Sequence, residues 1–203
     1  MSLKQKVIAI DGPSASGKGT VASRVAEALG FLYLDSGALY RLTALYAQKH
    51  NVAWTDEDAV STLAETLPAQ FEGSAVLLNG EDVSEQIRTE AIGMGASAVA
   101  QLPKVRAALL QRQRDFLTEK GLVADGRDIG SVIFPDAALK IFLTASANVR
   151  AQRRAKQLGI PCEGVAFERI LSDIEARDEA DRRRPIAPLK QLPDALLLDT
   201  DNL

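Results

Sequence analysis

"IDGPSASGKGTVASRVAEALG", residues 10–30, runs from an apolar lead-in through a loop of small residues into a helix-like stretch. From Gly12 to Lys18 it reads G-x-x-x-x-G-K, the spacing of a phosphate-binding loop. Glycines in such a loop let backbone N–H groups point at phosphate oxygens. The helix that follows adds its positive N-terminal end, and the lysine supplies a full charge. The Ser or Thr that ordinarily follows the lysine is replaced by Gly19, with Thr20 one step later. Mg²⁺ is expected beside the phosphates, mainly on phosphate oxygens and water, with Thr20 as the one candidate protein ligand.

Outward from this stretch, short apolar runs alternate with helical patterns. "KVIAI" (6–10), "FLYL" (31–34), "GLVAD" (121–125), "LKIFL" (139–143) and "ALLLD" (195–199) have the apolar continuity of buried strands. Residues 18–29, 36–50, 85–101, 103–119, 146–158 and 165–181 have helical periodicity. Ser36 and Ser146 stand where N-caps belong, Pro103 suits a first helical position, and Thr55 with Asp58 resembles a capping pair. The alternation predicts an α/β domain whose parallel sheet is covered by helices on both faces.

Two regions break the pattern. "AQFEGSAVLLNGEDVSE" (69–85) has short strand-like pieces and an Asn79-Gly80 turn, which predicts a small β insertion between helices. "QLGIPCEG" (157–164) interrupts the arginine-rich helical stretch and predicts a mobile tip. A doubly wound domain usually covers its last strand with a helix. The chain stops at Leu203, soon after "ALLLD", so a shortened C-terminus is expected.

Composition narrows the function classes. Over 203 residues, 46% are hydrophobic and 25% charged, as in an ordinary globular domain. The net charge of -3 argues against nucleic-acid binding driven by bulk charge. The single cysteine, Cys162, excludes an internal disulfide and suits a reducing cytosol. No apolar run reaches membrane-spanning length, so no membrane partner is expected.

The phosphoryl acceptor follows from what is present and what is missing. A GTPase needs a guanine-reading N-K-x-D, which the sequence lacks. The sole histidine, His50, lies near a helix end and reads as a surface residue, not a general base. A kinase acting on a nucleoside monophosphate needs no base, because a phosphate with a second pKa of ~6 is already largely ionised at pH 7. It needs cations that bring two repelling polyphosphates together. Arg150, Arg153, Arg154, Arg169, Arg177, Arg182, Arg183 and Arg184 crowd one late stretch, and guanidinium forks grip phosphate bidentately. Acids interleave among them, so a salt-bridged, solvated helix is the competing reading.

Four segments together, "DGPSASGKGT", "LDSGALYR", "ADGRDIG" and "ARDEADRRRPIAP", resemble bacterial cytidylate kinases, in the same order and over nearly the whole chain. The resemblance implies a single P-loop nucleoside monophosphate kinase domain over 1–203. Its core would take about 1–35, 103–150 and 182–203. A CMP-binding region would take about 36–102, with the β insertion at 69–85, and a lid about 151–165. It implies transfer of the γ-phosphoryl group of ATP to CMP or dCMP with Mg²⁺, by a cytoplasmic monomer. Gly12, Pro13, Ser14, Ala15, Ser16, Gly17, Lys18, Gly19 and Thr20 would hold ATP, joined by Arg153 on lid closure. Ser36, Arg41, Arg127 and Arg184 would surround the CMP phosphate. Arg177 and Asp181 would face the ribose, and Ser97, Arg106 and Asp128 would read cytosine. Lys18, Arg127, Arg153 and Arg184 would carry the catalytic charge.

Several of these residues keep a plainer reading. Arg41, Arg106 and Arg127 could be surface charges, Ser97 a packing residue, and Asp128 the cap of a helix starting near Ile129. Trp54, Tyr33, Tyr40 and Tyr46 read as core, and Cys162 as a bystander. A kinase of similar fold acting on AMP, UMP or shikimate stays open, as does a nucleotide-dependent switch without an acceptor.

Overall fold

The computed structural model describes residues 6–72 and 75–203. In chain order the elements are β1 (Val7–Asp11), α1 (Lys18–Leu29), β2 (Leu32–Asp35), α2 (Ser36–Lys49), α3 (Glu57–Glu65), β3 (Ala69–Glu72), β4 (Ala75–Leu78) and β5 (Glu81–Asp82). They continue with α4 (Glu90–Val99), α5 (Pro103–Arg114), β6 (Leu122–Gly126), β7 (Leu139–Thr144), α6 (Ala147–Leu158), α7 (Gly164–Arg183) and β8 (Leu196–Asp199). They group into two compact units: residues up to Leu34 with Phe116–Leu203, and Asp35–Asp115.

The first unit is built on a five-stranded sheet of order β2-β6-β1-β7-β8. β1 pairs in parallel with β6 and β7, and β7 with β8. β6 is buried along its whole length, which is why "LVADG" carries no alternation of apolar and polar residues. α1 packs on the sheet through Ala22 and Ala26, one helical turn apart, against Ile10, Val123 and Leu143. The register Asp11↔Gly126 brings the ends of β1 and β6 level, so the loops that follow emerge at one edge. In open parallel sheets that carboxyl edge is where ligands bind. Gly12 opens the first loop where a Cβ would lie 2.0 Å from the Leu143 carbonyl oxygen, so no side chain fits there. α6 and α7 form a hairpin held by Ala151, Ala155, Phe167 and Ile174, with Gly159 at φ 66 closing α6. β8 is exposed, with Leu196 at 64% and Leu197 at 55%.

The second unit holds α2 to α5 and the antiparallel sheet β3-β4-β5. Asn79 (φ 53) and Gly80 (φ 78) are consecutive left-handed residues, the signature of a tight hairpin turn, and they join β4 to β5 as the sequence predicts. Trp54 donates from Nε1 to the Ala44 carbonyl at 2.9 Å. Its ring covers Gly95, where a Cβ would approach to 2.5 Å.

Some local expectations are corrected. Asp35, not Ser36, caps α2, accepting from the Ala38 N–H at 3.0 Å, and Ser36 is the first helical residue. Asp56, not Thr55, caps α3, accepting from Ala59 at 3.1 Å. In both cases a carboxylate next to the expected hydroxyl reaches the third helical amide. The run 85–101 divides into a 3₁₀ turn (Gln86–Arg88) and α4, because Thr89 is extended (ψ 152) and caps the new helix. α5 ends at Arg114 instead of running to 119. Residues 103–115, expected with the core, cluster with 35–102, where α5 packs on α3. Ser146 and Pro103 take the cap and first-turn positions expected of them.

Candidate active site

The loop between β1 and α1 alternates in hand: Ala15 has φ 56 and Gly17 φ 89. Left-handed residues between right-handed ones turn successive N–H groups toward one concavity, a nest for anions. Lys18 opens α1, is buried, and donates from Nζ to the Pro13 carbonyl at 3.0 Å. The hydroxyls of Ser14 and Ser16 are buried and have no hydrogen-bond partner among the described residues. Leaving a buried hydroxyl unmatched costs about 1–3 kcal/mol, so two in one loop point to oxygens that arrive with a ligand.

Gly19, which stands where the usual hydroxyl would, faces the Tyr33–Asp125 pair. A Cβ there would lie 3.4 Å from the Tyr33 hydroxyl, which donates to Asp125 Oδ1 at 2.7 Å. Thr20 follows, exposed in the first turn of α1.

Asp11 is a residue that sequence reasoning passed over. Its carboxylate is buried and accepts from the Ile129 and Gly130 N–H groups, each at 2.8 Å. Ile129–Ile133 is a single π-helical turn, and the Asp128 side chain makes no capping bond to it. The plainer reading of Asp128 as a helix cap therefore fails, because Asp11 holds those amides. Burial, reinforced by the charge of Asp128, outweighs the two amide bonds and Lys18 and raises the Asp11 pKa to about 6. A carboxyl group that keeps its proton more tightly when folded contributes stability below its unfolded pKa of 3.8, and that contribution is lost as the pH rises through about 6. At ~1.4 kcal/mol per pH unit the difference is about 3 kcal/mol. Relative to Asp11→Asn, wild-type stability in urea should fall by that order between pH 4 and pH 7. Parallel stability curves would show that Asp11 does not titrate in this window.

The Arg127 guanidinium donates from Nε to Asp181 Oδ2 at 2.6 Å. Burial works against its charge, but Asp181, with Asp125 and Asp178 nearby, outweighs burial and raises its pKa. Arg177, Asp181 and Arg184 recur at helical spacing along α7 and its C-cap, where Asp181 and Arg184 are buried and Arg177 half-buried. Arg150, one of the crowded arginines, forms a fork with buried Asp178, Nη1 to Oδ1 at 3.0 Å and Nη2 to Oδ2 at 2.5 Å. It also donates to the carbonyls of Ala145 (2.9 Å) and Ser14 (3.1 Å), tying α6 and α7 to the phosphate loop. Arg153 donates to the Thr200 hydroxyl at 3.0 Å, to the Thr200 carbonyl, and weakly to the Ser16 carbonyl at 3.4 Å. The loop between α6 and α7 carries Cys162, which is exposed.

The second unit holds the other assigned residues. Ser36 is buried and donates to Gln113 Oε1 at 2.7 Å. Arg41 donates from Nη1 to the Ile87 carbonyl at 2.7 Å. Arg106 is buried, not a solvated helix charge: it donates to the Ala100 carbonyl at 3.1 Å and lies 5.6 Å from the Tyr40 ring centroid. Ser97 is half-buried on α4. His50 ends α2, exposed and edge-on to Tyr46.

A parallel sheet whose first strand runs into an alternating glycine loop, with a lysine opening the next helix, defines a P-loop fold built to hold a nucleotide polyphosphate. No described helix is long and apolar enough to cross a membrane. The chain belongs to the cytidylate kinase family, whose model matches residues 8–203. It is 80% identical over 200 residues to the cytidylate kinase of a Neisseria meningitidis strain, covering 98% of this chain and 92% of that protein. The cytidylate kinase of Chromobacterium violaceum is 61% identical over 197 residues, 97% of this chain and 89% of that one. That of Pseudomonas syringae is 55% identical, covering 100% and 91% respectively.

Proposed function

We infer that the chain is an ATP-dependent CMP kinase, a phosphotransferase that moves a phosphoryl group from ATP to the phosphate of CMP. The observation that carries this reading is the loop at the end of β1: two buried serine hydroxyls without partners among the described residues and a buried lysine at the start of α1. Family membership supplies the acceptor. dCMP is the second acceptor on the same reading, and the enzyme works as a monomer in the cytoplasm.

The roles divide as follows. Residues 12–20 bind the ATP phosphates, with Lys18 neutralising charge on the phosphoryl group in flight. Arg153 joins the ATP phosphates from the root of the α6–α7 hairpin, which acts as a lid. In the first unit, Arg127, Asp128, Arg177, Asp181 and Arg184 bind CMP, and Arg127 and Arg184 add catalytic charge. In the second unit, Ser36, Arg41, Ser97 and Arg106 bind CMP. The acceptor phosphate is its own nucleophile, so the protein's contribution is positioning and charge. Mg²⁺ bound with ATP would lower the repulsion between the reacting phosphates. Among the described residues no group of three or more His, Cys, Asp or Glu could hold a metal ion, and this donor set fits a cation carried mainly on phosphate oxygens and water. Thr20, exposed in the first turn of α1, offers a hydroxyl for it.

The lid makes this testable apart from turnover. Its connection has Gly159 (φ 66) and Gly164 (φ 79) as end points, which lets it move between two ordered helices. Amide exchange across 157–164 should slow when a bisubstrate analogue joining adenosine to cytidine through phosphates is bound. Equal exchange with and without the analogue would contradict the lid assignment.

A further inference from the structure

Asp11 is the final residue of β1, one position before the phosphate loop, yet its side chain serves a different segment. Both carboxylate oxygens are occupied by consecutive amides, Ile129 to Oδ1 and Gly130 to Oδ2, each at 2.8 Å. These amides directly follow Arg127 and Asp128. The five residues Ile129–Ile133 close as a π-helical turn in which the Asp128 carbonyl accepts from both Val132 (2.9 Å) and Ile133 (3.2 Å). Such wide turns are uncommon and need outside support. Support from the other side is tight: a Cβ on Gly130 would lie 3.1 Å from the Lys140 side chain and 3.4 Å from Asp11 Oδ2. The two amides that follow Asp128 are thus held by a carboxylate outside their own loop, and Asp128 sits at φ -145, ψ 25.

We infer that Asp11 is a positioning residue for base selection: by gripping the Ile129 and Gly130 amides, it holds Asp128 in the orientation that discriminates cytosine from uracil. This rests on the reading of Asp128 as a cytosine contact. The chemistry requires a carboxylate. An asparagine accepts from one amide and presents its own N–H₂ to the other, donor against donor, so the turn shifts while the volume is kept. Asp11 touches no phosphate in this account, and the effect of its loss falls on the acceptor base.

The test is a double-mutant cycle with Asp11→Asn, Asp128→Asn and the double variant. It reads kcat/KM for CMP and for UMP, KM for ATP, and the melting temperature. Asp11→Asn should narrow the CMP:UMP ratio about tenfold while KM for ATP moves less than about twofold. The double variant should be no less selective than Asp128→Asn alone, because residues that act through one another are not additive. A general structural defect would instead lower kcat for both acceptors and leave their ratio unchanged. If Asp128→Asn changes the ratio and Asp11→Asn does not, the inference is overturned and the Asp128 assignment stands. If Asp128→Asn leaves the ratio unchanged, both fall. A rise in KM for ATP at constant ratio would place Asp11 in the donor loop and overturn it as well. Should Asp11→Asn melt below the assay temperature, Asp11→Ser, which keeps one acceptor, carries the same comparison.

Discussion

Lys18→Ala should lower kcat by at least about 10²-fold while the protein stays folded. A preorganised cation aimed at the transferring phosphoryl group is worth roughly 3 kcal/mol or more, because it acts where charge is concentrated and water is excluded. On the proposed reading Lys18 is that cation: it begins α1, is buried, and is anchored on the Pro13 carbonyl at 3.0 Å within the same loop. The loss should appear in kcat with little change in melting temperature. Near-normal turnover in Lys18→Ala would remove the loop from the chemistry.

The second large effect concerns the base. Cytosine presents an amino donor at position 4 and acceptors at N3 and O2, whereas uracil presents an oxygen and an N3–H. A carboxylate only accepts and a guanidinium only donates. On the proposed reading, Asp128 takes the amino group, where a carboxylate matches cytosine and faces an oxygen in uracil; Asp128 is buried, so a mismatch is not relieved by water. Leaving such groups unmatched costs about 1–3 kcal/mol each, or about 10²-fold discrimination against UMP. Asp128→Asn, whose amide can donate to the uracil oxygen, should lower kcat/KM for CMP and narrow the CMP:UMP ratio, with KM for ATP little changed. An unaltered ratio would mean that the base is read elsewhere.

Much of the architecture is legible in the sequence because parallel strands buried on both faces leave unbroken apolar runs. "GLVAD" and "LKIFL" needed only their neighbouring loops to be assigned. The phosphate loop is legible because its spacing is dictated by the ligand. Capping is less so: Asp35 beside Ser36 and Asp56 beside Thr55 are chemically near-equivalent choices, and backbone dihedrals decide between them. The support network was not legible at all. Arg150 and Asp178 are 28 residues apart and Asp11 and Ile129 are 118 apart, and only the folded chain makes them partners. One signal was available for Asp11: an acid closing an otherwise apolar strand is costly unless it holds something. Gly19 was visible as a departure from the usual loop, but its neighbours, Tyr33 and Asp125, lie on two other strands.

The most direct test of the account is ADP formation from Mg²⁺-ATP across a panel of acceptors: CMP, dCMP, UMP, AMP, shikimate and none. The account predicts ADP strictly dependent on an added acceptor, with CMP and dCMP turned over and UMP and AMP slower by about 10²-fold or more in kcat/KM. Equal ADP release without an acceptor, or with AMP in place of CMP, would contradict it.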